Sequence, residues 1–182
     1  MKNVPSIFRL KKKHTSLSDN DYNQVDALDV IREQSISSAM ISAFMALVIM
    51  NILWVFISMI FDRFFPWFSL LQGIIIGISV KKFGRGIDWR FPIIASTFAI
   101  IAAITGNFLS ALNLTGREFY TGALPLIIEI SWYTVKTFFI KEFGVVGTIY
   151  ALASAGIAAF YSNRILDRYQ SLALYKFYLT KK

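Results

Sequence analysis

The chain has 182 residues, of which 55% are hydrophobic and only 16% are charged. A soluble domain carries about a quarter charged residues, so the composition argues against an ordinary soluble domain and indicates a membrane protein. The absence of cysteine excludes a disulfide framework, a thiolate metal site and a thiol nucleophile.

Most of the basic residues lie in three patches that alternate with apolar runs. Fifteen of the nineteen Lys and Arg residues fall within residues 2–32, 81–90 and 164–182. Basic residues in short loops are retained on the cytoplasmic side of a membrane. The pattern therefore predicts that both termini and one loop are cytoplasmic. Attraction to anionic lipid then explains the net charge of +8 without nucleic acid as a partner.

Residues 1–34 are predicted to form a cytoplasmic tail. No apolar stretch follows its basic start, so we expect no cleavable signal peptide, and the first apolar run would act as an uncleaved anchor. Val25, Leu28 and Ile31 are spaced three apart and favour a juxtamembrane helix over residues 19–33. His14 lies among lysines, where we expect a solvated side chain and no metal site.

Four apolar runs are predicted to cross the membrane as helices, which makes the chain an all-α membrane protein. About 20 apolar residues are enough to cross the hydrocarbon core. The second run is the shortest, and Lys81 and Lys82 would extend it by reaching to the headgroups. The predicted spans cover about residues 35–61, 64–83, 91–113 and 143–163, within a transmembrane domain over residues 35–163.

Small and polar residues in these runs mark candidate helix-packing positions. Asn51 lies near the middle of the first span, where an amide usually hydrogen-bonds to another helix. Gly73 and Gly77 form a GxxxG pair, and Gly106 and Gly147 belong to small-residue stripes on the third and fourth spans. Such positions let helix backbones approach closely, either inside one bundle or between subunits.

The loop over residues 81–90 combines four basic residues with two glycines and a tryptophan. A phosphate or anionic-lipid site there would use Lys81, Lys82, Arg85 and Arg90. The simpler interpretation, which we favour, is a positively charged cytoplasmic loop in which Trp89 anchors at the interface. No Walker-type spacing is present.

Residues 120–142 are apolar but contain Glu129 and Lys136 on nearly one helical face. Placing each charge near the membrane centre would cost about 2.5–3.5 kcal/mol, and crossing would also move the basic C-terminal tail outside. We therefore predict an external interfacial helix, with a re-entrant or fifth-span segment as the alternative. Residues 164–182 are predicted to form a cytoplasmic amphipathic helix.

The elements GIIIG, KKFGRG and ITGN follow one another within residues 70–109. This stretch resembles small uncharacterised bacterial inner-membrane proteins, in which a glycine-rich span leads to a basic Gly-Arg-Gly loop and a small-residue span. The resemblance covers roughly 40 of the 182 residues. It implies a bacterial inner-membrane setting and carries no assigned activity.

The residues do not indicate catalysis, a cofactor or a metal, because the acidic groups are scattered and the four predicted spans lack clustered ionisable side chains. We therefore expect a non-catalytic integral membrane subunit, an accessory or scaffold protein of a secretion or transport complex. Membrane lipid and homo- or hetero-oligomeric membrane proteins would be its partners. Two alternatives stay open: a small oligomeric transporter or channel, and an immunity protein against a membrane-active toxin.

Overall fold

A computed structural model describes residues 24–118, 128 and 130–180 of the chain. The described residues form helices and their connections, without any β-strand, so the predicted all-helical class is confirmed. The chain divides into two units. Among the described residues, one comprises 24–30 and 166–180, and the other comprises 31–118, 128 and 130–165.

Seven α-helices are present among the described residues. They are α1 (Gln24–Arg32), α2 (Ile36–Phe61), α3 (Phe68–Ser79), α4 (Arg90–Glu118), α5 (Trp132–Phe138), α6 (Gly144–Ser162) and α7 (Arg168–Thr180). Two of these helices, α3 and α5, continue directly into a five-residue π-helical turn, at Val80–Gly84 and Phe139–Phe143 respectively.

Three of the described helices, α2, α4 and α6, are long and apolar enough to cross a membrane. The helix of the predicted second span is shorter and starts later than expected. It begins at Phe68 instead of residue 64. Pro66 disfavours helical geometry at Phe65, and residues 66 and 67 form a turn that leads into the helix. The twelve residues of α3 and the five of the π turn give a continuous helical stretch that ends at Gly84.

The core of the larger unit is built from small side chains on α2, α3, α4 and α6. Small side chains allow helix axes to come close, so that backbone and Cβ atoms of neighbouring helices are in direct contact. The large outward side chains of α2, such as Ile41, Phe44, Ile52 and Phe56, are exposed. Fully buried alanines include Ala39, Ala43, Ala95, Ala99, Ala102 and Ala158.

The segment after α4 differs from the predicted helix over residues 120–142. The third span was expected to end near residue 113, but α4 continues to Glu118. Residues 119–127 and 129, with Glu129, lie outside the described residues. Residues 130 and 131 are not helical. Ser131 caps the start of α5, since its Oγ accepts a hydrogen bond from the Thr134 amide at 3.2 Å.

An aromatic contact attaches this segment to α4. The ring of Phe138 is buried and lies 5.0 Å from that of Phe108, centroid to centroid, in an edge-to-face arrangement. Lys136 is exposed and Tyr133 is 77% exposed. Phe138 therefore holds the described part of the segment on the bundle, while Tyr133 and Lys136 face away from it.

Within the smaller unit, α7 gives the C-terminal helix expected in residues 164–182, although it starts only at Arg168. The carbonyl oxygen of Asp167 accepts hydrogen bonds from the amide and the hydroxyl of Ser171, which fixes this start. Ala173 and Leu174 are buried, while Tyr178 is exposed. The predicted tail over residues 1–34 is described only from residue 24, and its helix α1 ends at Arg32.

Candidate functional site at the basic junction

The basic loop after α3 is fastened to the start of α2 and to the end of α6. The carbonyl oxygen of Gly84 accepts a hydrogen bond from the Ser35 amide at 3.0 Å, and that of Gly86 accepts one from the Arg164 amide at 2.9 Å. The amide of Ile87 donates to Gln34 Oε1 at 3.2 Å. We call this meeting point of loop and helix ends the basic junction.

Glycine is required in this loop because the chain passes directly over Phe91. A Cβ on Gly86 would overlap the buried ring of Phe91, and a Cβ on Gly84 would lie 2.7 Å from the Cβ of Ala39. Arg85, between the two glycines, has a left-handed backbone with φ of 48° at the point where the π turn ends. Packing at this corner thus explains the two glycines of the Gly-Arg-Gly sequence.

Glu33 organises the charged groups of the basic junction. Its carboxylate accepts a hydrogen bond from the guanidinium of Arg164, and it lies 3.7 Å from that of Arg85. The hydrogen bond and the charge of Arg164 hold the pKa of Glu33 below its ordinary value of 4.5. Burial partly opposes this lowering of the pKa, and the charge of Arg85 adds a smaller lowering. Glu33 is therefore ionised throughout the neutral range.

An open cleft of about 700 Å³ lies beside these charges. One part of its lining is cationic and another is apolar. Lys82 is exposed, and its ammonium group lies 5.9 Å from the centroid of the Phe83 ring. The lining residues are Glu33, Ile78, Lys81, Lys82, Arg85, Tyr161, Arg164 and Ile165.

Three of the four residues predicted for an anionic site therefore line one cleft: Lys81, Lys82 and Arg85. The fourth, Arg90, is exposed at the first residue of α4 and does not line it. Glu33 and Arg164 were missed as members of the site. They are 131 positions apart, so no local spacing in the sequence could have paired them.

The predicted packing glycines of α3 lie against the backbone of α6. A Cβ on Gly73 would lie 2.5 Å from the carbonyl oxygen of Ser154, and a Cβ on Gly77 would lie 2.7 Å from that of Ala158. Ser154 Oγ also donates to the carbonyl oxygen of Ser69 at 2.7 Å. Two uses were open for these glycines, packing inside one bundle and contact between subunits. The structure shows the first, because both glycines lie against α6 of the same chain.

Asn51 hydrogen-bonds across the bundle as predicted for a mid-span amide. Its Oδ1 accepts a hydrogen bond from Gln72 Nε2 at 2.7 Å, and its Nδ2 donates to Thr105 Oγ1 at 2.8 Å. The side chains of Asn51 and Gln72 are buried. One amide thus connects α2 with both α3 and α4.

The other two predicted packing glycines also face side chains of this chain. A Cβ on Gly106 would lie 2.5 Å from the indole ring of Trp54 and 2.8 Å from Asn51 Oδ1. A Cβ on Gly147 would lie 2.7 Å from the ring of Phe143, in the π turn that precedes α6. Gly106 therefore makes room for the buried Trp54, and Gly147 for Phe143.

The ion pair between Asp62 and Arg117 lies at the far end of α2 and α4 from the basic junction. The guanidinium of Arg117 donates to the carbonyl oxygen of Met59 at 2.6 Å and lies 3.3 Å from the Asp62 carboxylate. Asp62 ends α2 with a left-handed backbone. The two parallel helices are thus connected at this end as well.

Searches against protein-family models, curated proteins and solved structures gave no match to this chain. Function therefore has to be inferred from the chain's own residues.

Proposed function

We propose that the chain is a non-catalytic integral membrane subunit that acts as an accessory or scaffold protein in a bacterial inner-membrane complex. In this proposal four helices cross the membrane, both termini are cytoplasmic, and the segment around α5 lies at the external interface. Secretion or transport machinery is the setting that we favour.

The fourth crossing is assigned to α3 together with its π turn. Their combined length corresponds to about 25 Å at the helical rise per residue, which is slightly less than the hydrocarbon thickness of about 30 Å. Lys81 and Lys82, at the end of this stretch, can reach the headgroups with their long side chains. This crossing also keeps the basic residues of 81–90 and 164–182 on one side of the membrane.

The observation that carries the scaffold proposal is the way the four helices are fastened to one another. Gly73 and Gly77 hold α3 against the backbone of α6, and Asn51 connects α2 with α3 and α4. Transporters that open alternately need one group of helices to move against another. A bundle with direct backbone contact and hydrogen bonds between its helices favours a rigid support instead.

Partner contacts in this proposal fall on the outward faces of the helices, since the glycine surfaces are used internally. On α6 these outward residues include Val145, Leu152 and Phe160, all largely exposed. At the first position of α5, Trp132 is 81% exposed. Lipid or a neighbouring membrane protein would cover these side chains.

Purification from native membranes in a mild detergent tests the scaffold proposal. We expect the chain to elute above its monomer mass of 20.7 kDa plus detergent and to retain a specific membrane protein, identified by mass spectrometry. A matched preparation of Leu152→Lys should lose that partner if the outward face of α6 is the contact. A monomer that retains no partner and moves a solute across liposomes would contradict the proposal.

A small oligomeric transporter or channel is the second candidate, and one observation favours it. Six buried polar atoms on α2, α3 and α4 have no hydrogen-bond partner among the described residues. Buried polar groups are normally satisfied by protein or by internal water, so water inside the bundle is the natural partner. The atoms are Trp54 Nε1, Ser58 Oγ, Gln72 Oε1, Asn107 Oδ1, Ser110 Oγ and Asn113 Nδ2.

Liposome flux separates the two candidates. If the polar interior conducts, the purified protein should release a trapped solute. Ser110→Ala should reduce the rate because it removes a buried hydroxyl and makes the side chain only slightly smaller. The scaffold proposal predicts no flux above protein-free liposomes for either protein.

A further inference from the structure

We propose that the cleft at the basic junction binds the phosphate headgroup of an anionic phospholipid. Four cationic side chains and one carboxylate surround it, which leaves a net charge of +3 around the cleft. They are Lys81, Lys82, Arg85, Arg164 and Glu33. The inference depends on α3 and α6 being membrane helices, and it does not depend on the accessory role.

Two of the four cationic side chains lie against Glu33, and the other two remain available to a ligand. Its carboxylate binds Arg164 and lies near Arg85, so it orients two guanidinium groups at the rim of the cleft. The side chain of Arg164 is only 25% exposed, whereas that of Arg85 is 58% exposed. Lys81 and Lys82 form no ion pair among the described residues, so their ammonium groups are available to a phosphate oxygen.

The backbone fixes this arrangement before any ligand arrives. The Arg164 amide is hydrogen-bonded to Gly86, and the Ser35 amide to Gly84. The residues that carry the charges therefore cannot separate without breaking contacts between the ends of α2, α3 and α6. Binding costs less when the charged groups are already held near their bound positions.

The apolar part of the lining favours a lipid over free phosphate. Ile78 belongs to α3 and Tyr161 to α6, and both are about 40% exposed on the wall of the cleft, while Ile165 is 81% exposed. An inorganic phosphate would leave this apolar surface uncovered. A phospholipid would place its phosphate among the cations and its glycerol and acyl region against these side chains.

Native mass spectrometry of the detergent-purified full chain tests the proposal by measuring dissociation constants for single lipids. The probes are phosphatidylglycerol, phosphatidylcholine and, as the water-soluble headgroup, glycerol 3-phosphate. We expect phosphatidylglycerol to bind at least tenfold more tightly than phosphatidylcholine. Each basic group near an anionic lipid contributes roughly a fivefold factor, so Lys81→Gln/Lys82→Gln should weaken phosphatidylglycerol binding about 30-fold.

The control is Lys136→Gln/Lys141→Gln, which removes the same charge from two exposed lysines outside the cleft. If binding is specific to the cleft, this control should change the dissociation constant for phosphatidylglycerol by no more than about twofold, since distant exposed charges are screened. Unchanged far-UV circular dichroism shows that both double variants are folded. Equal losses in the two double variants, or no loss in either, would overturn the site. Displacement of phosphatidylglycerol by millimolar glycerol 3-phosphate would overturn the assignment to lipid in favour of a free phosphate compound.

Discussion

The contact between α3 and α6 predicts a large difference between glycines that look alike in the sequence. Alanine at Gly73 would place its methyl carbon 2.5 Å from the carbonyl oxygen of Ser154 and 2.7 Å from the hydroxyl of that residue. Alanine at Gly77 would place it 2.7 Å from the carbonyl oxygen of Ala158. Alanine at Gly156, on α6, meets no atom within 4 Å.

The size of the effect follows from these contacts. The two helices would have to separate by roughly 1 Å at Gly73 to restore an ordinary contact of about 3.5 Å. Overpacking of this kind typically costs about 1–3 kcal/mol. In Gly73→Ala, distortion of the hydrogen bond from Ser154 to Ser69 would destabilise the fold by about a further 1 kcal/mol. The higher helix propensity of alanine would stabilise it by about 1 kcal/mol. We expect Gly73→Ala to destabilise the fold by about 1–3 kcal/mol and Gly156→Ala to be neutral or stabilising.

Unfolding in mixed micelles of mild detergent and dodecyl sulfate, followed by tryptophan fluorescence, measures these differences. Gly77→Ala should fall between the other two variants, because its contact is less tight. Equal stability of Gly73→Ala and Gly156→Ala would refute the direct backbone contact between α3 and α6. The bundle would then lack the rigid helix contact that supports a scaffold role.

Two further predictions concern hydrogen bonds and charge. Asn51→Leu should destabilise the fold by about 1–3 kcal/mol because it leaves the buried amide of Gln72 without its acceptor. In the same unfolding assay, the double variant Asn51→Leu/Gln72→Leu should lose less stability than the sum of the losses in the two single variants. The pKa of Glu33 is lower in the folded protein than its ordinary value of 4.5. Its ion pairs therefore stabilise the folded state fully above pH 4.5. This stabilisation is lost as the pH falls below 4.5 and through the pKa of the folded state. Glu33→Gln should therefore lower Tm at pH 7, and its Tm should converge with that of the unmodified protein below pH 4.5; a constant difference down to pH 3 would contradict the ion pairs.

The helix positions could largely be predicted from the apolar runs, and the differences have local causes. The predicted first span, residues 35–61, agrees closely with α2, because Ser35 caps its start and Asp62 ends it. The helix of the predicted second span starts only after the turn at Pro66. The helix of the predicted third span continues to Glu118. Its last turn is mostly polar, and polar residues end an apolar run without ending a helix.

The composition of the candidate site was only partly predictable. The basic residues of 81–90 stand out in the sequence as a patch, and three of them line the cleft. The role of Glu33 depends on Arg164, which the fold brings from the other end of the chain. The use of Gly73 and Gly77 within the bundle was equally hidden, because a GxxxG pair has the same spacing whether its partner helix lies in the same chain or in another.

Cysteine labelling in intact cells tests the four-span account most directly, and the chain has no cysteine of its own. Single cysteines at Arg63 and Lys82, two exposed residues near opposite ends of α3, report whether this helix crosses the membrane. An impermeant thiol reagent should modify Arg63→Cys from outside and Lys82→Cys only after the membrane is permeabilised. Glu118→Cys, at the end of α4, should also be modified from outside. Asn163→Cys, just after α6, should be modified only after the membrane is permeabilised. Modification of Arg63→Cys and Lys82→Cys from the same side would contradict the fourth span.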